Sequence, residues 1–486
     1  KGMSKIHEVV IVGAGFGGLG MAIALKKQGV DDIVMLEKAA DVGGVWRDNT
    51  YPGAACDVPS HLYSFSFEPN PNWSHVFARQ PEIYAYLRHC ADKYDLRRHL
   101  RCEVEVAAMR FDDASSIWHI TLASGEALQA RMVVNATGQL SRPIYPKLKG
   151  IEAFKGESFH SAHWRHDLDL TGKRVAVIGT GASAIQFVPA IAPSVAKLSV
   201  FQRSPAYMMA RPDRPYSGVE KWVFKRAPKT MSLYRGGIYL KYESRALAFT
   251  RMKSLLKVAV GLPFKSLLKK QVPDLLLREK LTPDYAIGCK RILLSSDYLA
   301  TMSRDNVNLV TTAVSQITAA GVETSDGNVH PADVLIYGTG FAATDFLAPM
   351  KVSGRAGLDL KDVWQQGAKA YLGMSVPGFP NFFMLYGPNT NLGHNSIVYM
   401  LESQIAHIMT CRARLVQENG RCIEVNEGRY ENFTSAVQVR LANSVWAGCR
   451  SWYIDDNGHN SASWPGFTLS YRWLTRNPPR DAYRVS

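Results

Sequence analysis

Val9-Val10-Ile11-Val12-Gly13-Ala14-Gly15-Phe16-Gly17-Gly18 is the stretch whose reading decides the fold of this 486-residue chain. Four apolar residues, all β-branched, run into a G-x-G-x-x-G turn and then a helical pattern through about Lys27. Strand, tight turn and helix in that order open a dinucleotide-binding unit. Gly13 makes the turn, Gly15 lets backbone approach a pyrophosphate, and Gly18 lets helix and strand pack closely. The phosphates then lie at the helix N-terminus, where unpaired N–H groups and the helix dipole favour negative charge. A second strand, residues 33–36, ends in Glu37, roughly 20 residues past the loop, where an acid can hold a ribose hydroxyl pair.

A second unit of the same kind lies downstream. The apolar strand 174–178 precedes Gly179-Thr180-Gly181-Ala182-Ser183-Ala184, with Ala184 in the third glycine's place, which the fingerprint allows. The strand after it, 198–201, runs into Gln202-Arg203-Ser204 and offers no acid for a ribose 2′-hydroxyl. Arg203 and Ser204 suit a 2′-phosphate instead, which points to NADPH over NADH. Between the two loops lies the turn-rich run 154–164, Phe-Lys-Gly-Glu-Ser-Phe-His-Ser-Ala-His-Trp, in the position of a joint.

The rest of the chain is legible in outline. Residues 82–100 read as a helix and 101–132 as short alternating strands, before Val133-Val134-Asn135-Ala136-Thr137-Gly138 gives a strand and a glycine-terminated turn. The proline-punctuated linker 141–150 follows. Residues 212–283 break the α/β alternation and read as a helical insertion rich in helix-compatible stretches such as 241–260. A buried strand at 332–337 leads into Gly338-Thr339-Gly340-Phe341, from which the chain crosses back to the first unit. There 381–386 reads as a strand, 387–393 as a loop and 396–418 as a long helix whose N-terminus could favour negative charge on a ligand. The expected architecture is α/β, two Rossmann-like domains with a helical insertion. Residues 1–143 and 338–486 form the first domain, 144–212 and 284–337 the second, and 213–283 the insertion.

Composition narrows the function classes. A hydrophobic share of 46% and a charged share of 20% describe a globular protein. No apolar run is long enough to span a membrane, and the opening KGMSKIHEVV lacks the apolar core of a signal peptide, so a soluble, cytoplasmic protein is expected. The seven cysteines are odd in number, scattered and never in C-x-x-C spacing, which argues against a disulfide framework and against a zinc site; no metal is expected. Much of the net charge of +15 lies between Glu220 and Lys280, where fifteen lysines and arginines face four acids. That charge reads as the solvated face of the insertion, with a weak membrane-surface contact left open. No nucleic-acid partner is expected, because no binding module accompanies the charge.

Two further motifs carry a family resemblance that covers nearly the whole chain. Phe154, Gly156, His160 and Trp164 match F-x-G-x-x-x-H-x-x-x-W, although Arg165 stands where Pro or Asp usually follows. Gly44, Trp46, Tyr51, Pro52, Gly53 and Asp57 match G-x-W-x-x-x-x-Y-P-G-x-x-x-D. With these the chain resembles the single-chain, FAD- and NADPH-dependent Baeyer–Villiger monooxygenases, relatives of the flavin-containing monooxygenases. The Gly43-Gly44 segment after the ribose acid, common in flavoproteins with two dinucleotide units, implies that FAD occupies the first loop. A thiol-based flavin reductase is disfavoured, because only Cys56 stands where such enzymes carry two redox cysteines.

The resemblance implies a reaction. NADPH reduces FAD, O2 adds to give a flavin C4a-peroxide, and its anion converts a ketone to an ester or lactone; thioethers can also be oxidised. It further implies that Arg291 stabilises that anion, that Asp57 holds Arg291, that Lys290 assists the 2′-phosphate, and that Trp452 touches the coenzyme. His160 is expected to act at a hinge. Residue chemistry agrees, since an anionic oxidant needs a fixed positive charge and exclusion of water, and arginine keeps its charge at any working pH. Two alternatives stay open at this point: a flavin monooxygenase acting on nitrogen or sulfur, and, more remotely, a nucleotide-binding scaffold attached to membranes through the basic insertion.

Overall fold

The computed structural model describes residues 4–139, 142–347 and 349–486; Ser141, at the head of the expected linker, lies outside them. Val9, Val10 and Ile11 are completely buried. Their strand, Ile6–Val12, is flanked by parallel neighbours on both sides, Ile33–Leu36 and Ala127–Asn135. With both faces covered, the strand has no solvated side, and its sequence is an unbroken apolar run instead of an alternation.

The eight-stranded sheet built on this centre adds the antiparallel meander Val106–Asp112 and Ile117–Leu122. It also recruits strands from far along the chain. Phe382–Met384 pairs in parallel with the end of Ala127–Asn135, and Lys351–Ser353 pairs with Val106–Asp112. A second sheet is wholly parallel, in the order Val307–Val310, Lys197–Phe201, Arg174–Ile178, Val334–Tyr337, Glu157–His160. The expected α/β class, with two Rossmann-like sheets and a helical insertion, is what the chain adopts.

The insertion packs on both units. Phe224, Met231, Phe249, Leu256 and Val260 join the core of the first, whereas Phe264, Leu268 and Val272 join that of the second. Its helices are shorter than expected. Pro228–Glu243 and Arg245–Thr250 are followed by a turn in which the Met252 N–H bonds back to Leu247 O, so residues 241–260 do not form one helix.

Three other expectations need correction. The helix expected over 82–100 is Gln80–Lys93, and it stops because Asp95 adopts φ +52°. The strand expected over 381–386 is confined to Phe382–Met384, since Asn381 and Tyr386 have φ of +56° and +54°. Finally, Cys289 and Cys449 form a disulfide with their Cα atoms 5.9 Å apart. The partners are separated by 160 residues, so no local spacing signals the pair. The other five cysteines are free. Among the described residues no helix is long and apolar enough to cross a membrane, and no group of three or more His, Cys, Asp or Glu side chains could hold a metal.

Candidate active site between the nucleotide loops

The first loop is closed against side chains by backbone at its first and third glycines. Gly13 has φ +103°, and a Cβ there would collide with Ala136 O. A Cβ on Gly18 would collide with Gly13 O, which explains why the helix can sit this close to the strand. Gly44, at φ +55°, brings its own backbone against Gly15, where a Cβ on Gly15 would stand 3.6 Å from Gly44 Cα. Glu37 is buried at the end of its strand and accepts a bond from Arg47 Nη1 at 2.8 Å. Trp46 donates from Nε1 to Tyr63 Oη at 3.1 Å. This narrow glycine cradle, with an acid fixed at its far strand, fits a dinucleotide such as FAD.

The second loop is more open. Gly179, at φ +106°, lies so close to Gly338 that a Cβ would strike its carbonyl, but a Cβ at Gly181 would meet nothing within 4 Å. Ala184 begins the helix Ala184–Ile191 and is fully buried. Lys290 Nζ donates to Ser204 Oγ at 3.2 Å, which brings two residues 86 positions apart to one place. Arg203 is exposed and makes no salt bridge or side-chain hydrogen bond among the described residues. A serine, a lysine and a free arginine around one strand end fit a phosphate monoester.

Between the loops lies a charge cluster. Asp57 accepts from Arg211 Nη2 through Oδ1 at 2.6 Å and from Arg291 Nη2 through Oδ2 at 3.2 Å. Asp57 and Arg211 each keep 13% of their side-chain surface exposed, whereas Arg291 keeps 45%. One carboxylate is therefore shared by two guanidinium groups, and the trio carries a net positive charge whose accessible part is Arg291. Desolvation opposes the Arg291 charge, but the Asp57 carboxylate, with Tyr453 and Tyr386 nearby, holds its pKa above the ordinary arginine value. Burial pushes the Tyr453 phenol up to about 12 and raises that of Tyr386. Both are neutral donors at working pH.

Local structure explains how the arginines meet. Met208–Met209 and Leu293–Leu294 form a short parallel pair, and Arg211 follows the first by two residues as Arg291 precedes the second by two. Arg211 Nη1 also donates to Cys56 O at 3.1 Å, which fixes it beside Asp57. Sequence reading did not assign Arg211 a site role.

The two family motifs converge on the helix that follows the second loop. Tyr51 and Trp164 both pack against Phe187, with ring centroids 6.0 and 5.2 Å away. Gln186, also missed, accepts from Tyr51 Oη at 2.8 Å and donates to Ala55 O at 3.0 Å. His160 is fully buried, with Nδ1 accepting from the Ala162 N–H and Nε2 at 3.0 Å from Gly340 O. Burial keeps its pKa below the ordinary histidine value, so it serves as a neutral clip between strand ends. Phe154 lies over Gly156, where a Cβ would strike Asp333 O. Arg165 pairs with Glu157 and Asp167 at the surface. Of these, Tyr51 reaches the charge cluster, since Asp57, Arg291 and Arg211 all act on its phenol.

Trp452 is half exposed and packs on Tyr453, with centroids 4.2 Å apart; Tyr453, not Trp452, belongs to the surroundings of Arg291. The Cys289–Cys449 disulfide joins the two short segments that carry Arg291 and Tyr453. Cys56 is buried and its thiol is pushed up to about 12 by burial, so it is no thiolate nucleophile.

Residues 10–236 match the family described as pyridine nucleotide-disulphide oxidoreductase. A Baeyer–Villiger monooxygenase of Pseudomonas aeruginosa is 47% identical over 482 residues, covering 99% of this chain and 91% of the relative. Cyclohexanone monooxygenase from Rhodococcus sp. Phi1 bound to NADP+ superposes with a TM-score of 0.89 at 29% identity, covering all of both chains. OTEMO in complex with FAD and NADP superposes with a TM-score of 0.90 at 28% identity, again covering all of both chains.

Proposed function

We propose, on the premise that this chain belongs to the Baeyer–Villiger monooxygenase family, that it uses NADPH and O2 to convert ketones to esters or lactones, with FAD as its bound cofactor and thioether oxidation as an accessory activity. The observation that carries the reading is the sharing of Asp57 between Arg211 and Arg291. FAD, when bound, supplies the redox centre that NADPH reduces and that activates O2.

The chain's own residues divide the remaining work. Gly13, Gly15, Gly18 and Gly44 admit the FAD pyrophosphate, Glu37 holds its ribose, and Trp46 closes that side. Gly179, Gly181 and Ala184 admit the NADPH pyrophosphate, while Arg203, Ser204 and Lys290 take its 2′-phosphate. Arg291 places a fixed positive charge where negative charge develops on the reacting oxygen. Such preorganised charge stabilises the transition state without reorganising at the moment of reaction. Asp57 orients Arg291, and Arg211 neutralises Asp57 so that the cluster stays net positive. Trp452 covers the coenzyme from its exposed segment, with Tyr453 beneath it. Phe154, Gly156, His160 and Trp164 act as a joint. Residues 1–143 with 338–486 serve FAD, 144–212 with 284–337 serve NADPH, and 213–283 form the insertion. The cytoplasm is the proposed compartment; the five free cysteines fit it, whereas the Cys289–Cys449 disulfide counts against it.

Soft nitrogen and sulfur nucleophiles accept oxygen from a neutral oxidant, so a fixed cation would be idle in an enzyme restricted to them. Product analysis by mass spectrometry over a panel of ketones and thioethers, with NADPH and O2, tests the proposal. Esters or lactones are expected. Sulfoxides with no ester from any ketone would favour the nitrogen- or sulfur-oxygenating alternative.

A further inference from the structure

The helical insertion presents a surface that the reaction does not use. From Ser254 to Gln271 the backbone is continuously helical, with a π turn at Lys257–Gly261. Leu256, Val260, Phe264 and Leu268, at four-residue steps, form its buried stripe. A second stripe, on the outside, consists of Leu255, Val258 and Leu262, which are 41%, 64% and 59% exposed, and it continues into the exposed Lys265 and Lys269. The next helix, Leu275–Lys280, opens with Leu275 and Leu276, each 72% exposed. A protein face meant only for water does not line up large apolar side chains on a helix whose inner face is already satisfied.

We propose that this face docks on an anionic lipid surface. Fifteen basic and four acidic residues between Glu220 and Lys280 give the insertion a net charge of +11. Leucine and valine along one stripe, with lysines continuing it, is the composition of a helix that lies in the plane of a membrane. The apolar side chains enter the acyl boundary, and the lysine stems reach up to the phosphates. The negative potential of a cytoplasmic leaflet supplies the complementary charge. Nucleic acid would neutralise the lysines but leave the leucines in water. A second copy of this chain would bury the leucines but set two basic insertions against each other.

The test uses flavin-loaded full-length protein and flotation with vesicles of phosphatidylcholine alone or mixed equally with phosphatidylglycerol. Binding to the anionic vesicles, weakened by high salt and absent from the neutral ones, is expected. A triple variant, Leu255→Asn with Val258→Asn and Leu262→Asn, should bind roughly tenfold or more weakly. So should Lys265→Glu with Lys269→Glu, which changes only exposed side chains and guards against misfolding of the first variant. Flavin content and ketone-dependent NADPH oxidation should be unchanged in both. The proposal is overturned if wild type does not float with anionic vesicles, if either variant floats as well as wild type, or if sedimentation velocity shows a dimer that the triple variant abolishes.

Discussion

Both nucleotide loops close their first glycine against a carbonyl, but the first loop also closes its third position, whereas the second has open space at its middle glycine and an exposed cation at the strand end beyond. Gly13 and Gly18 are each pressed against a carbonyl oxygen, and Glu37 is buried and tied to Arg47. Gly181 has nothing within 4 Å, Ala184 replaces the third glycine, and Arg203 is exposed. A site completed within the fold suits a cofactor that stays, and one whose contacts wait for the ligand suits a coenzyme that exchanges. The difference teaches that two copies of one fingerprint can be tuned for residence or turnover through their second and third positions and the strand end beyond.

The strongest way to break that comparison is Gly13→Val. A branched side chain at φ +103° beside Ala136 O should leave a folded protein depleted of FAD, read as a collapse of the 450 nm to 280 nm absorbance ratio. A normal yellow protein would show that the first loop does not hold FAD. Next comes the third position. Gly18→Ala should destabilise by about 1–3 kcal/mol through overpacking against Gly13 O. Ala184→Gly should cost only about 0.5–1 kcal/mol. Thermal melts of the two variants sharpen the contrast, and equal losses would erase it.

Arg203→Ala probes the strand end. Loss of a charge-assisted bond to the 2′-phosphate, worth roughly 1.5 to 3 kcal/mol, should raise KM for NADPH by about one to two powers of ten and leave NADH nearly unchanged. Equal losses for both coenzymes would remove Arg203 from the site. The smallest effect is expected for Gly181→Ala, whose melting temperature should stay at the wild-type value because the new methyl enters open space. A marked loss would mean that the second loop is as tightly filled as the first.

Much of this contrast was legible in the sequence because a dinucleotide turn needs particular residues at fixed local offsets. Strand, loop, helix and acid all fall within a few tens of residues, and both sheets stand where those runs placed them. The Asp57 and Arg291 pair was reached only through resemblance, since 234 positions separate the partners. Arg211 and Gln186 stayed hidden for the same reason: their partners are set by how the two units meet, and a lone Arg or Gln has no spacing to betray it. The Cys289–Cys449 bridge was misjudged because scattered cysteines look unpaired until folding brings two together. A helix end and a strand start were missed where Asp95 and Asn381 take left-handed backbone that either residue type tolerates without requiring it.

The central claim is that Asp57 holds Arg291 as a fixed, accessible positive charge for the oxygen-transfer half of the cycle, and the ratio of ester formed to NADPH consumed in Arg291→Ala tests it most directly. The variant should bind FAD normally and keep appreciable NADPH oxidation, with some slowing, while hydrogen peroxide replaces ester, because the lost charge matters only after reduction and oxygen addition. Asp57→Ala should uncouple more mildly, since it removes the orienting partner and leaves the cation. Ester formation by Arg291→Ala at a near wild-type rate and coupling ratio would contradict the account and move the role to Lys290, Arg211 or a backbone donor.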